Sequence, residues 1–289
     1  MNRCWVLLLA WASVSWAAEV GLQRFLETGE LAGWSATGRE HSAMLLGQGQ
    51  RALAAGDTAA ARIPFEQLTR AGGGPWTAAA WGELAQMALQ AERFDEASRC
   101  LEQVRRQAPQ AAGWTRLRQA ELLYFQGQFA PAISQLEQLA QQSPADLSAN
   151  DALSLLSLIE SNQDQGEQLQ VLARAQLRLR QGRAADAEWA ELETGGKLQD
   201  LSLLLQARWQ ANRDPAAALG LYQRLGAQFP KSLYAAAALL EEAALLEAGG
   251  QQAAALAQYE AVLTRFPDDA RLPEVRLRIQ RLRREGGSQ

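Results

Sequence analysis

The sequence predicts an all-α fold built from stacked pairs of helices, and two observations lead to this prediction. First, the segment from Tyr222 to Pro230 recurs 37 residues later, from Tyr259 to Pro267, and both copies are amphipathic stretches that end in Phe-Pro. Proline cannot continue a helix, because it lacks the N–H donor and clashes with the preceding turn. Second, the 289 residues contain only 9 prolines and are rich in alanine, which favours helices over strands. A repeat of this period indicates a helical solenoid.

The first residues have the pattern of a secretory signal peptide, which we assign to residues 1–17. Arg3 precedes an apolar run from Trp5 to Trp16, and Ser-Trp-Ala supplies small residues at its end. The run has about 12 residues, whereas a membrane-spanning helix needs roughly 20. We therefore expect cleavage after Ala17 or Ala18, and an exported, periplasmic protein of a bacterium with no stable membrane anchor.

Net charge and cysteine content narrow the classes of partner and ligand. The net charge of −4 argues against nucleic acid as a partner, because its binding depends on clustered cations. Cys4 lies before the apolar run, so no cysteine stands at the cleavage point where a lipid would be attached. Cys100 is then the only cysteine of the exported chain, and an intrachain disulfide is impossible. We expect Cys100 to be a buried, small apolar residue rather than a reactive thiol.

From residue 41 onward one template recurs, while the preceding residues 18–40 predict only a leading helix or linker. In the template, a small residue in a first helix is followed 12 positions later by alanine in a second helix. Small side chains at both points let the two helices approach closely, and a short turn, often with glycine, lies between them. The pairs are Gly49 with Ala61, Ala85 with Ala97, Ala120 with Ala132, Ala175 with Ala187, and Ala243 with Ala255.

Two copies of the template are irregular. One has Gln206 where the small residue is expected and Ala207 one step later, so its turn should be one residue out of register. The copy around Ala187 has Glu191 in place of a large apolar residue, which makes it the least regular repeat.

The spacing between repeats predicts how the chain is organised. The copies at Ala132 and Ala187 are 55 residues apart, and the excess contains an additional apolar helix near 147–158. An arginine-rich amphipathic helix from Leu272 to Arg284 would cap the last repeat with a face that tolerates water. The predicted order is signal peptide 1–17, leading segment 18–40, first array 41–144, bracing helix 145–166, second array 167–270, and capping helix with tail 271–289.

These repeats resemble the tetratricopeptide repeat family. The best copy, residues 78–109, has Trp81, Leu84, Ala85, Phe94, Ala97, Leu101 and Pro109 at the positions of the family pattern, and residues 113–144 and 236–267 follow it. The resemblance covers roughly residues 42–270. It implies an α-α superhelix of about six helix pairs.

The resemblance also implies a binding surface, because in this family the first helices line a concave groove that holds a segment of a partner protein. Trp114 and Tyr124 are candidate anchors, since large aromatic side chains bury much area with few rotatable bonds; packing between adjacent repeats is the alternative. A clamp for a C-terminal carboxylate is not expected, because only Arg118 among the clamp positions suits that role. The candidate partner-binding residues are Gln86, Gln90, Trp114, Leu117, Arg118, Glu121 and Tyr124.

Residues with catalytic or metal-binding chemistry do not form a recognisable motif. His41 is the single histidine, and we interpret it as a surface residue rather than a metal ligand. Glu241 and Glu242 are adjacent, so on a helix they diverge by about 100°, and we interpret them as solvated. We therefore predict a non-catalytic protein-binding scaffold without metal or cofactor.

Two other functions stay open at this point. A subunit of cell-wall or export machinery could use Glu121 or Glu160 as a catalytic carboxylate. A self-associating solenoid would stack end to end, but the charged capping helix speaks against it, and we expect a monomer. The last two repeats look similar to those of periplasmic TolA-binding proteins and outer-membrane barrel-assembly lipoproteins, which suggests a partner in the cell envelope.

Overall fold

A computed structural model describes residues 36–70, 72, 74–142, 148–194 and 196–286. This part of the chain consists of α-helices with two short 3₁₀ turns and contains no β-strand, which confirms the all-α solenoid class. The chain divides into two compact units, Met1–Arg183 and Ala184–Gln289. The predicted signal peptide and nearly all of the predicted leading segment lie outside the described residues.

Unit 1 is a stack of helix pairs in which each second helix packs against the first helix of the next pair. The pairs are α1 with α2, α3 with α4, and α5 with α6; α7, the predicted additional helix, packs on α6. The helices are α1 Ala36–Ala54, α2 Thr58–Arg70, α3 Pro75–Gln90, α4 Phe94–Gln107, α5 Ala112–Phe125, α6 Phe129–Gln142, α7 Ala149–Glu160 and α8 Gly166–Arg180.

Unit 2 repeats the same packing with two helix pairs and a terminal helix. Here α10 pairs with α11, α12 pairs with α13, and α14 packs on α13 as the predicted capping helix. The helices are α9 Asp186–Glu193, α10 Gln199–Gln210, α11 Pro215–Gln228, α12 Ala235–Ala248, α13 Gln252–Arg265 and α14 Leu272–Gly286.

The small residues that predicted the helix pairs are buried at the helix contacts, with one exception. Ala207, not Gln206, shares the core of unit 2 with Ala218, so the predicted shift of register is confirmed. The packing role predicted for Ala187 is wrong, because Ala187 is exposed on the short helix α9. The neighbouring Ala185 and Trp189 are buried instead.

Four of the turns within the helix pairs, those of α1–α2, α3–α4, α5–α6 and α12–α13, share one hydrogen-bonding pattern that explains their sequences. In these turns the N–H after the positive-φ residue reaches back to a carbonyl in the last turn of the preceding helix, as Asp57 does to Ala52 at 2.9 Å. Glycine adopts this backbone conformation without strain, and Gly127 is an example with φ of 73°. The turn between α3 and α4 has Glu92 there, with φ of 57°.

The capping helix α14 is fastened to unit 2 by arginines. Arg278 and Arg281 both form ion pairs with Glu247 on α12, and Arg283 binds Glu260 on α13 at 2.7 Å. The apolar side of α14, which includes Val275, is buried. The helix therefore covers the last repeat with one face and presents charge on the other.

Glu242 contradicts the interpretation that the adjacent acidic residues of α12 are solvated. Its side chain is only 2% exposed, and Oε1 accepts hydrogen bonds from Nε2 of Gln223 at 3.2 Å and of Gln258 at 3.3 Å. Burial raises the pKa of Glu242, while the hydrogen bond from Gln223 opposes this shift. Its amide partners come from the second helices α11 and α13, and the sequence of α12 alone does not reveal them.

Replacing Glu242 by glutamine should raise the free energy of unfolding by about 1 kcal/mol at neutral pH, because the amide oxygen can accept both hydrogen bonds without a buried charge. A carboxyl group whose pKa is raised by folding stabilises the protein below its unfolded pKa and loses this contribution as pH rises through the folded pKa. Denaturation of wild type and E242Q should therefore differ at neutral pH and converge in acid. A pH-independent difference would contradict the assignment.

Candidate functional site

A buried cluster of charged side chains joins α5 to α8 in unit 1. The Glu121 carboxylate accepts from Nη1 of Arg118 at 2.6 Å and from Nη2 of Arg180 at 2.9 Å. The three side chains expose only 15%, 11% and 18% of their surface for Arg118, Glu121 and Arg180, respectively. Burial alone would raise the pKa of Glu121, but the two guanidinium groups outweigh it and lower the pKa. Glu121 is therefore an ionised carboxylate at neutral pH.

The C-terminal end of α8 lies near the C-terminal ends of α3 and α5, beside this cluster. The Arg180 guanidinium lies 4.7 Å from the centroid of the Phe125 ring, a cation–π contact. One residue further, Nε2 of Gln181 donates to the Gln90 carbonyl and to the Glu92 carboxylate, both at 3.0 Å. The strained turn at Glu92 thus supplies a side chain that holds the end of α8.

This position of α8 explains why the division between the two units differs from the predicted start of the second array at residue 167. The spacing of Ala175 and Ala187 predicts that α8 and α9 form one repeat. However, α8 is tied to α5 by Arg180 and Glu121, and the division falls after Arg183. Arg180 and Glu121 are 59 residues apart in the sequence. The repeat pattern from which the arrays were predicted relates residues at much shorter spacings and therefore could not indicate this ion pair.

Three of the predicted partner-binding residues belong to the interior of unit 1. Leu117 is buried and Tyr124 is only 1% exposed, with its ring 5.5 Å from Phe125 and 5.9 Å from Phe129. Glu121 lies within the charged cluster. In this conformation these three side chains lie beneath the predicted binding surface.

The other four predicted residues reach solvent. Gln90 is exposed, and Gln86, Trp114 and Arg118 are partly exposed. The Arg118 guanidinium lies 5.5 Å from the Trp114 ring centroid, so the cation of the buried cluster also orients the indole. The structure therefore places Trp114 next to the cluster. The predicted surface has the aromatic side chain on its outside and the charged side chains beneath it.

Sequence reasoning missed Arg180 and Gln181 as parts of this site. A signal for Arg180 exists in α5: Glu121 lies among apolar residues, and a buried carboxylate requires cationic partners. The sequence does not show which arginine supplies the second charge, because α8 carries several.

The surroundings of Glu121 and Glu160 do not favour the alternative in which one of them is a catalytic carboxylate. Glu121 is clamped between two guanidinium groups that lower its pKa, which is the opposite of what a proton donor needs. Glu160 lies on the exposed end of α7. Among the residues that the structure describes, no group of three or more His, Cys, Asp or Glu side chains could hold a metal ion.

The remaining candidate groups are consistent with a structural role. Cys100 is buried on α4, and burial raises the pKa of its thiol to about 11, so the reactive thiolate is not formed at neutral pH. His41 is exposed on α1. None of the helices in the described ranges is long and apolar enough to cross a membrane.

Comparison with known families matches three segments of the chain. Residues 115–146, 201–232 and 237–269 each match the family model described as tetratricopeptide repeat. These segments cover most of the helix pairs α5 with α6, α10 with α11, and α12 with α13. No curated protein matches the chain.

Proposed function

We propose that the chain is a tetratricopeptide repeat protein and a non-catalytic scaffold that binds a segment of an envelope protein through α3 and α5. The three segments that match the repeat model lie in both compact units. Repeats of this kind serve as surfaces for protein–protein interaction. The observation that carries the proposed location is the partly exposed Trp114, whose ring lies 5.5 Å from the Arg118 guanidinium above a buried ion cluster.

Trp114 is the proposed anchor of the partner segment. A tryptophan that is held in place by a neighbouring guanidinium loses little conformational freedom on binding, so that more of its contact area contributes to affinity. Gln86 and Gln90 on α3 add amide groups that can pair with a peptide backbone. Leu117, Glu121 and Tyr124 keep this surface in position without contacting the partner.

Photo-crosslinking in intact cells tests this surface. An unnatural photoreactive residue at Gln86 or at Trp114 should capture one discrete protein, whereas the same residue at Arg283 on α14 should not. Arg283 is a suitable control because it is exposed on a helix of the other unit.

The outcomes separate the alternatives. Capture of the same protein from Gln86 and Trp114 identifies the partner and supports the scaffold. Capture from Arg283 alone, or from none of the three positions, would contradict binding at α3 and α5. Crosslinking of one copy of the chain to another would favour self-association instead.

The envelope location rests on the signal-peptide pattern of residues 1–17. N-terminal sequencing of the protein from a bacterial periplasmic fraction should find Ala18 or Glu19 as the first residue. A chain that stays in the cytoplasm with Arg3 and the apolar run intact would overturn export and, with it, an envelope partner.

A further inference from the structure

A polar groove opens on unit 1 between α4, α5 and α6. Its volume is about 630 Å³, within the range of clefts that hold small ligands. On α5 the groove is lined by Arg116 and Gln119, whereas Arg118 and Glu121 point to α8. Because successive residues of a helix are rotated by about 100°, the groove lies on the opposite side of α5 from the Trp114 surface.

The lining of this groove carries three guanidinium groups and one carboxylate. Arg105 and Arg106 are on α4 and Arg116 is on α5, with Glu102 as the acidic residue. Arg105 binds both oxygens of Glu102 at 2.8 Å, and Nε of Arg106 binds Oε1 at 3.0 Å. These hydrogen bonds lower the pKa of Glu102 to about 2. Two positive charges thus share one negative charge, and the lining has a net positive charge.

Amide side chains complete the groove. Gln119 on α5 and Gln135 and Gln138 on α6 contribute both donors and acceptors. Such groups match the N–H and C=O groups of an extended peptide backbone. Arginine forks recognise carboxylates through paired hydrogen bonds.

We propose that the groove between α4, α5 and α6 binds an extended acidic segment of a partner protein, with Arg105 and Arg106 pairing to its carboxylates and the glutamines pairing to its backbone. The inference rests on the proposed function as a protein-binding scaffold. It adds a second surface, with its own charge requirement, on the other side of α5.

The composition of the groove favours an acidic peptide over a nucleic acid or another polyanion. Proteins that bind single-stranded nucleic acid use aromatic side chains on which bases stack, and the groove lining contains none. The Glu102 oxygens and the glutamine carbonyls are acceptors that suit the N–H groups of a peptide.

Fluorescence anisotropy with purified full-length protein tests this site. The probe is a fluorescein-labelled octapeptide in which glutamate and glycine alternate. We expect saturable binding, and we expect R105Q/R106Q to weaken it by about tenfold or more. Both side chains are largely exposed, at 57% and 65%, so the substitutions should leave the fold intact, which circular dichroism can verify.

The chain offers a closely matched control in R278Q/R281Q. Arg278 and Arg281 also share one carboxylate, that of Glu247, and are 51% and 52% exposed. The double variant has the same net charge as R105Q/R106Q. Its affinity for the glutamate peptide should stay within about twofold of wild type, because an effect of net charge alone is screened by salt.

Each other outcome would overturn the proposal. Equal binding of a peptide with glutamine in place of glutamate would show that charge is not recognised. Tighter binding of a single-stranded oligothymidine through Arg105 and Arg106 would assign the groove to a polyanion. If both double variants weakened the affinity for the glutamate peptide equally, the effect would be one of overall charge. If the glutamate peptide did not bind at all, the proposed site would be wrong.

The results remain distinguishable from those for the proposed scaffold surface. If the glutamate peptide does not bind while probes at Gln86 and Trp114 capture a partner, the groove is overturned and the scaffold stands. If the peptide binds through Arg105 and Arg106 while those probes capture nothing, the groove stands and the Trp114 surface is overturned.

Discussion

Replacing Glu121 by glutamine should lower the free energy of unfolding of unit 1 by about 3–5 kcal/mol, because the two buried arginines, Arg118 and Arg180, would then lose the carboxylate that both of them bind. Both guanidinium groups now donate to the Glu121 carboxylate, at 2.6 and 2.9 Å. Removing the acid leaves two like charges that repel each other and have lost most of their hydration. The cost therefore exceeds the value of two ordinary hydrogen bonds.

Hydrogen–deuterium exchange localises this effect. Amides of α5 and α8 should lose protection in E121Q, and the denaturant midpoint of unit 1 should fall. The matched control is E102Q on α4, where the carboxylate also pairs with two arginines but at the surface. E102Q should behave like wild type, since exposed pairs contribute little. Similar losses in both variants would show that the Glu121 cluster is no more than a surface ion pair.

A third variant separates charge from packing. Replacing Arg118, Glu121 and Arg180 together by methionine removes the three charges that are hydrogen-bonded to each other, and such replacements recover much of the stability that a single deletion costs. Stability should thus return towards wild type in the triple variant. A triple variant as unstable as E121Q would mean that the loss reflects packing and not uncompensated charge.

The pH dependence has a defined sign. The folded state lowers the pKa of Glu121, so its contribution is fully present above the unfolded pKa of about 4.3 and is lost as pH falls through the folded pKa. Wild type should therefore lose stability in acid more steeply than E121Q. The two proteins should approach each other at low pH, where the wild-type carboxyl group is also neutral.

The helix pairs could be predicted from the sequence because their contacts are local. Ala85 and Ala97 are 12 residues apart on two helices joined by a tight turn, so one spacing rule specifies both the turn and the contact. The same rule failed at Ala187, since a spacing pattern does not show whether two neighbouring helices pack on each other or on different partners.

The interior of the candidate site could not be predicted in the same way. Arg180 reaches Glu121 across 59 residues, and the two amides that bind Glu242 come from separate helices. Charged residues in a repeat sequence are assumed to be solvated, because the repeat pattern records only the size and polarity of its own positions. Buried polar contacts between repeats depend on the three-dimensional stack.

Replacing Phe65 by alanine should lower the free energy of unfolding by about 3–5 kcal/mol, through lost burial and the cavity that remains. Phe65 on α2 is fully buried, and its ring lies directly over Gly49 on α1. A methyl group at Gly49 would be only 2.4 Å from Cε1 of the ring. The first helix pair therefore depends on an aromatic ring fitted against a residue without a side chain.

The two positions should be coupled, and the sign of one substitution should depend on the other. In wild type, G49A should destabilise by about 1–3 kcal/mol, because the ring must move to admit the methyl group. In the F65A background the same change should stabilise, since the methyl group enters vacated space and alanine favours helix over glycine. Chemical denaturation of the two single variants and the double variant measures this coupling.

Gly47 on the same helix provides the control. A methyl group there would meet only the end of the flexible Arg51 side chain, at 3.7 Å. G47A should therefore stabilise by up to about 1 kcal/mol in both backgrounds. If G49A stabilised wild type as G47A does, the Phe65 ring could not rest on Gly49. The small residue at position 49 would then not be required by the Phe65 ring, and the close approach of α1 and α2 would need another cause.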